Sequence, residues 1–68
     1  METIGDRLKF LRNQKGLKSQ DMAKQIGFSQ STISLWENDK RNLLADNIIL
    51  LANFFDVSSD YILGLKEF

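Results

Sequence analysis

Apolar residues recur along this chain at three- and four-residue intervals, the spacing that stacks side chains on one face of an α-helix. Ile4, Leu8 and Leu11 form the first stripe, ringed by Arg7, Lys9, Arg12 and Lys15, and Gly16 follows where a left-handed cap belongs. The pattern predicts a first helix over about residues 3–15. Met22, Ala23 and Ile26 make a second, short stripe between Ser19, read as its N-cap, and Gly27, which stops it. Ser29 caps a third segment in which only Ile33 and Trp36 share a core-facing side, and the polar run DKRN ends it. Ile48, Leu51, Ala52 and Phe55 mark a fourth helix opened by Asn42 or Asp46, and Ser58 or Ser59 caps a last helical turn ending at Gly64. The remaining short apolar runs fit helical spacing better than the period of a strand.

Five short helices in 68 residues imply one all-α domain over residues 1–68. With two to three turns each they cannot build a long up-and-down bundle, so a compact orthogonal array is expected. A domain this small buries only about 60% of the surface its unfolded chain exposes, which predicts modest stability. Only Gly27 and Phe28 separate the second and third helical segments, an abrupt corner for which Gly27 supplies the positive φ at low steric cost. A helix held out from the body by such a corner can enter a groove.

Composition narrows the chemistry. There is no cysteine and no histidine, so disulfides, thiolate sites and the usual zinc and general-base ligands are missing. The nine acidic residues are scattered singly, with no nucleophile beside them and no glycine-rich phosphate loop. No catalytic residue, metal, cofactor or small-molecule substrate is therefore expected, and the chain reads as a non-enzyme. The longest strongly apolar run, IILLA at 48–52, is far short of the ~20 residues that span a bilayer, and no charged-then-apolar leader opens the chain. A soluble, cytoplasmic protein without a membrane partner is the default. Net charge is zero, yet residues 1–42 carry eight Lys and Arg against five acids, net +3, while residues 43–68 carry one Lys against four acids, net −3. Because salt screens each surface charge beyond ~8–10 Å, this local asymmetry leaves a nucleic-acid face open.

The stretches FLRNQKGLKSQDMAKQIG, ISLWENDKR and LANFFDVSSDYILG resemble the lambda-repressor-like, or XRE, helix-turn-helix family of phage and bacterial repressors. Ala23, Gly27, Ile33 and Trp36 stand where that motif has its small residue, its turn glycine and its two core residues, and the likeness covers nearly the whole chain. The resemblance implies a five-helix DNA-binding domain with the helix-turn-helix at helices two and three. Two departures stand out: Asp39 occupies the place of the glycine in "ENGKR", and Leu43 and Leu44 replace the usual proline and serine before helix four.

At about 100° per residue, with the core centred between Ile33 and Trp36, Ser31, Ser34, Leu35 and Asn38 point outward and Gln30 lies at the flank. Gln30 is the principal candidate for base readout, since its amide can donate and accept against adenine N7 and N6 at the helix end that enters the groove in such proteins. Ser31 and Ser34 can bond base edges or phosphates, and Leu35 can meet a thymine methyl; the bland alternative for all three is a solvated or chance-exposed side chain. Asn38, Lys40 and Arg41 fall where the resembling family contacts phosphates, and the alternative there is a charged loop in solvent. Lys18, Ser19 and Gln20 open helix two, where free amides and the helix dipole favour a phosphate oxygen, although Ser19 reads first as a cap. The resemblance pairs Glu37 with Arg12 in a structural ion pair, and Trp36 reads as core.

Leu43, Leu44, Ile49, Leu50, Leu65 and Phe68 exceed what one small core absorbs and form a candidate dimer patch. A two-fold dimer would set two recognition helices about one DNA turn, ~34 Å, apart. The alternatives are packing of these residues around the fifth helix, or a chain that is a piece of a longer repressor. The expected function is that of a sequence-specific repressor, binding an inverted-repeat double-stranded operator as a homodimer. The competing expectation is an antitoxin-like or adaptor module that uses the same fold to hold a protein.

Overall fold

The computed structural model of the chain describes residues 2–67, and among them every regular element is helical. The elements are α1 (Ile4–Gln14), α2 (Ser19–Ile26), α3 (Gln30–Glu37), α4 (Ala45–Phe55) and α5 (Ser59–Leu63). The order and number match the apolar stripes, and the helices wrap one core in a body of 27 × 23 × 22 Å.

Local chemistry explains most of the helix ends. Thr3 opens α1 through a reciprocal box: its hydroxyl accepts from the Asp6 amide, and the Asp6 carboxylate accepts from the Thr3 amide, each at 3.1 Å. Ser29 and Ser58 cap α3 and α5, their hydroxyls accepting from the amides of Thr32 and Tyr61. Thr32 in turn holds the first turn of α3 through a 3.0 Å hydroxyl contact with Ser29.

Two helix starts depart from the sequence reading. Lys18, not Ser19, is the N-cap of α2, with extended backbone and no side-chain cap bond, and Ser19 is already helical. The reason is tertiary: Leu17 packs against the core and accepts from Arg12 Nη1 at 2.8 Å, which commits the chain to the helix one residue early. Likewise neither Asn42 nor Asp46 caps α4; Leu44 does, because Leu43 packs against the core immediately before it. Asp46 instead sits in the first turn, where its charge complements the helix dipole.

Leu8, Met22, Ile33, Leu51 and Ile62 are the largest fully buried side chains, one from each helix, so every element contributes to a single core. Burying each is worth ~1.5–3 kcal/mol. Trp36 is buried in this core, its ring meeting Phe28 edge to face at 5.0 Å. Phe28 thereby fills the corner between α2 and α3 rather than pointing to solvent.

The corner itself depends on Gly27, whose φ of 80° is left-handed. The amides of Gly27 and Phe28 both donate to the Ala23 carbonyl at 2.9 Å, closing α2 before the chain turns. A Cβ at Gly27 would meet nothing within 4 Å, so an added methyl is opposed by the backbone alone. Gly27→Ala is accordingly expected to cost about 1 kcal/mol, lowering the melting temperature by roughly 5 °C in a circular-dichroism melt. An unchanged melting temperature would show that the turn does not need a left-handed residue.

Candidate nucleic-acid interface

Helix α3 is exposed along the side opposite Ile33 and Trp36. Gln30, Ser31, Ser34 and Leu35 together line one open, shallow depression, with Leu35 half-buried and the other three exposed. The four residues predicted to face a base edge are thus contiguous on the surface. Gln30 is also held: its Nε2 donates to the Ser19 hydroxyl at 3.1 Å, joining the first turns of α3 and α2. That contact uses one of the two amide protons and leaves the second proton and Oε1 for another partner. Ser19, displaced from the capping role, therefore orients Gln30.

The residues grouped at the end of α3 separate. Asn38 folds back, its Nδ2 donating to the Ser34 carbonyl at 2.9 Å and lying 3.3 Å from the Ser34 hydroxyl. Its amide is thus engaged with its own helix. Lys40 and Arg41 extend into solvent beyond it. At the start of α2, Lys18 and Gln20 are exposed and Ser19 half-buried, and no side chain caps the helix amides there.

Glu37 and Arg12 meet between α3 and α1. Arg12 Nε donates to Oε2 at 2.6 Å and Nη2 to Oε1 at 3.1 Å, a two-point bridge whose side chains are only 12% and 8% exposed. The hydrogen bond to Glu37 drives the Arg12 pKa further up; burial opposes this and the attraction of the carboxylate reinforces it. The guanidinium accordingly stays charged in this setting.

Two contributors to this region escape a reading of periodicity. Gly5 lies beneath α3, where a Cβ would come within 2.5 Å of the Glu37 carbonyl oxygen and 2.7 Å of that of Trp36. Asp39 has a φ of 57°, and its carboxylate accepts from the Thr3 hydroxyl at 2.6 Å and the Gly5 amide at 2.9 Å. The signal for Asp39 was its place in a position that calls for glycine; for Gly5 there was none, since a glycine in a first helical turn is unremarkable by spacing.

Residues 5–67 match the family model described as a helix-turn-helix domain. The chain belongs to that family. The helix-turn-helix domain is 32% identical over 65 residues to the HTH-type transcriptional regulator ImmR of Bacillus subtilis strain 168, covering 96% of this chain and 51% of that protein. It is 36% identical over 61 residues to the uncharacterized HTH-type transcriptional regulator YobD of the same organism, covering 90% and 54%. The domain thus spans about half the length of the curated relatives it matches. Its fold superposes on the P22 c2 repressor protein in complex with a synthetic operator with a TM-score of 0.88 at 24% identity, covering 97% of this chain and 100% of that one. The restriction-modification controller protein C.AhdI from Aeromonas hydrophila gives 0.78 at 32% identity, covering 87% and 89%. The five-helix, lambda-repressor-like architecture is therefore that of the domain.

Several large apolar side chains outside α3 are exposed. Leu44 and Leu65 are 70% and 73% exposed, Ile49 and Leu50 less so, and Leu63 and Phe10 are exposed as well. Leu43 does not belong with them: it is half-buried and packs against the core. Phe68 lies outside the described residues.

Proposed function

We propose that this domain is a DNA-binding transcriptional regulator that places α3 in the major groove of a specific duplex site. The observation that carries this reading is the surface of α3: four side chains suited to base edges share one open concavity, with Lys40 and Arg41 exposed just beyond it. Gln30, pre-oriented by Ser19, reads an adenine through N6 and N7; Ser31 and Ser34 bond neighbouring edges, and Leu35 meets a thymine methyl. Lys40 and Arg41, with the uncapped start of α2 at Lys18, Ser19 and Gln20, neutralise or bond phosphates, adding affinity that carries no sequence information. Asn38 joins them only by releasing Ser34.

The relatives support this role, being transcriptional regulators, and a P22 c2 repressor is itself seen on an operator. The same relatives favour binding over catalysis, and among the described residues no cluster of His, Cys, Asp or Glu could hold a metal. No described helix is long and apolar enough to cross a membrane, in keeping with a cytoplasmic regulator. The exposed Leu44, Ile49, Leu50 and Leu65 then form the contact of a two-fold dimer, whose paired recognition helices fit an inverted repeat and repress by occupying it.

Selection of duplexes from a random pool, followed by titration of the enriched site, tests the reading. Gln30→Ala is expected to weaken binding by ~1–3 kcal/mol at one base position only, whereas Lys40→Ala should weaken every sequence and flatten the salt dependence. Equal losses on selected and random duplexes from Gln30→Ala would remove its base-reading role. Absence of any salt-dependent duplex binding would favour a protein-holding module, the reading to which the exposed Leu44, Ile49 and Leu65 lend weight.

A further inference from the structure

Asp39 is an acid beside the proposed phosphate contacts, in a left-handed backbone conformation that most side chains avoid. Bare electrostatics would make it a liability for binding a polyanion. The structure shows where its charge goes. Both carboxylate oxygens turn inward to the first turn of α1, accepting from the Thr3 hydroxyl and the Gly5 amide at 2.6 and 2.9 Å. Thr3 is itself fixed by its box with Asp6, so the acceptor grips a rigid helix end rather than a mobile tail. Asp56 provides the internal comparison: it too is left-handed, with a φ of 56°, at the end of α4, yet no side-chain hydrogen bond is found for it among the described residues.

The bonds of Asp39 close the end of α3. The Lys40 amide donates to the Leu35 carbonyl at 2.8 Å and the Asp39 amide to that of Trp36 at 3.2 Å, so the left-handed residue directs the chain out of the helix immediately before the two cations. At the far side of the loop Leu43 packs on the core. Between these anchors Arg41 and Asn42 flank a small recess of about 60 Å³ walled by Ile4, Trp36 and Asp39.

We propose that Asp39 is a positioning residue for DNA: it ties the loop after α3 to the start of α1 and so presents Lys40 and Arg41 already ordered to the phosphates. A loop backbone already fixed beneath the two cations loses less freedom on binding, which strengthens binding without a contact from Asp39 itself. The proposal rests on the assignment of Lys40 and Arg41 to phosphates.

The sign of the effect distinguishes this from a merely tolerated acid. Asp39→Gly keeps the left-handed turn and removes both the negative charge and the tie. If Asp39 only repelled DNA, the variant would bind more tightly. It is expected instead to bind both a selected duplex and a random duplex about 10-fold more weakly, with a shallower salt dependence. Asp39→Asn, which tolerates the turn and can still accept from the Gly5 amide, should recover most of the loss. In a Lys40→Ala, Arg41→Ala background the Asp39→Gly change should lose its effect, whereas a general loss of folded protein would persist there. Tighter binding by Asp39→Gly, or an undiminished loss in that background, overturns the positioning role. If Lys40→Ala and Arg41→Ala leave affinity unchanged, the phosphate assignment fails and the proposal falls with it.

Discussion

Gly5→Ala is expected to destabilise the domain by about 3 kcal/mol, although helix propensity alone would count the change as a gain of up to ~1 kcal/mol. The two effects oppose each other, and the geometry decides the sign. An added Cβ would lie 2.5 Å from the Glu37 carbonyl oxygen, 2.7 Å from that of Trp36 and 2.8 Å from the Glu37 carbonyl carbon. All three are backbone atoms in and around the last turn of α3, so no rotamer change relieves the overlap. The start of α1 must move away from α3, which also lengthens the hydrogen bond that the Gly5 amide donates to Asp39 and disturbs the nearby burial of Trp36. Urea unfolding of the variant should show the midpoint falling with little change in slope. Stability at or above that of the parent would mean that α1 can shift without losing packing, and would remove the close approach as a determinant of the fold.

The second large effect is expected at the bridge between the same two helices. Arg12→Ala should cost about 3 kcal/mol, because it leaves the Glu37 carboxylate, only 8% exposed, without its two-point partner, and frees the Leu17 carbonyl as well. Lysine at position 12 is not a conservative exchange, since it offers a point charge in place of the fork that meets Oε1, Oε2 and the carbonyl together. The loss from Arg12→Ala reflects a stranded charge more than the worth of the pair itself. The double change Arg12→Met, Glu37→Leu should therefore recover part of the stability lost by Arg12→Ala, since neither charge then needs a partner. A loss below ~1 kcal/mol from Arg12→Ala would put the pair in the class of exposed surface bridges.

Both predictions concern the join of α1 to α3, and that is where a reading of the chain was least complete. The Arg12–Glu37 pairing came from family resemblance, not from spacing, because 25 residues separate the partners. Gly5 offered no sign of its role; a close approach between helices belongs to both elements at once and leaves no mark on either pattern. Asp39 was conspicuous as an acid in place of a glycine, but its partners Thr3 and Gly5 lie 36 and 34 residues away. Ser19 shows the reverse error: a good capping residue lost the position because the burial of Leu17 set where the helix begins.

By itself the sequence determined the five helices, their order, the Gly27 corner and the outward face of α3, because each follows from spacing or chemistry within a few residues. Apolar period, capping hydroxyls and a left-handed glycine act locally, and their outcome is legible locally. Tertiary structure alone decided the starts of α2 and α4, the close approach at Gly5, the capture of the Asp39 carboxylate by α1, and the half-burial of Leu43 against the core. Each of these depends on which surfaces meet when the helices pack, and a meeting between residues far apart in the chain is set by the whole fold.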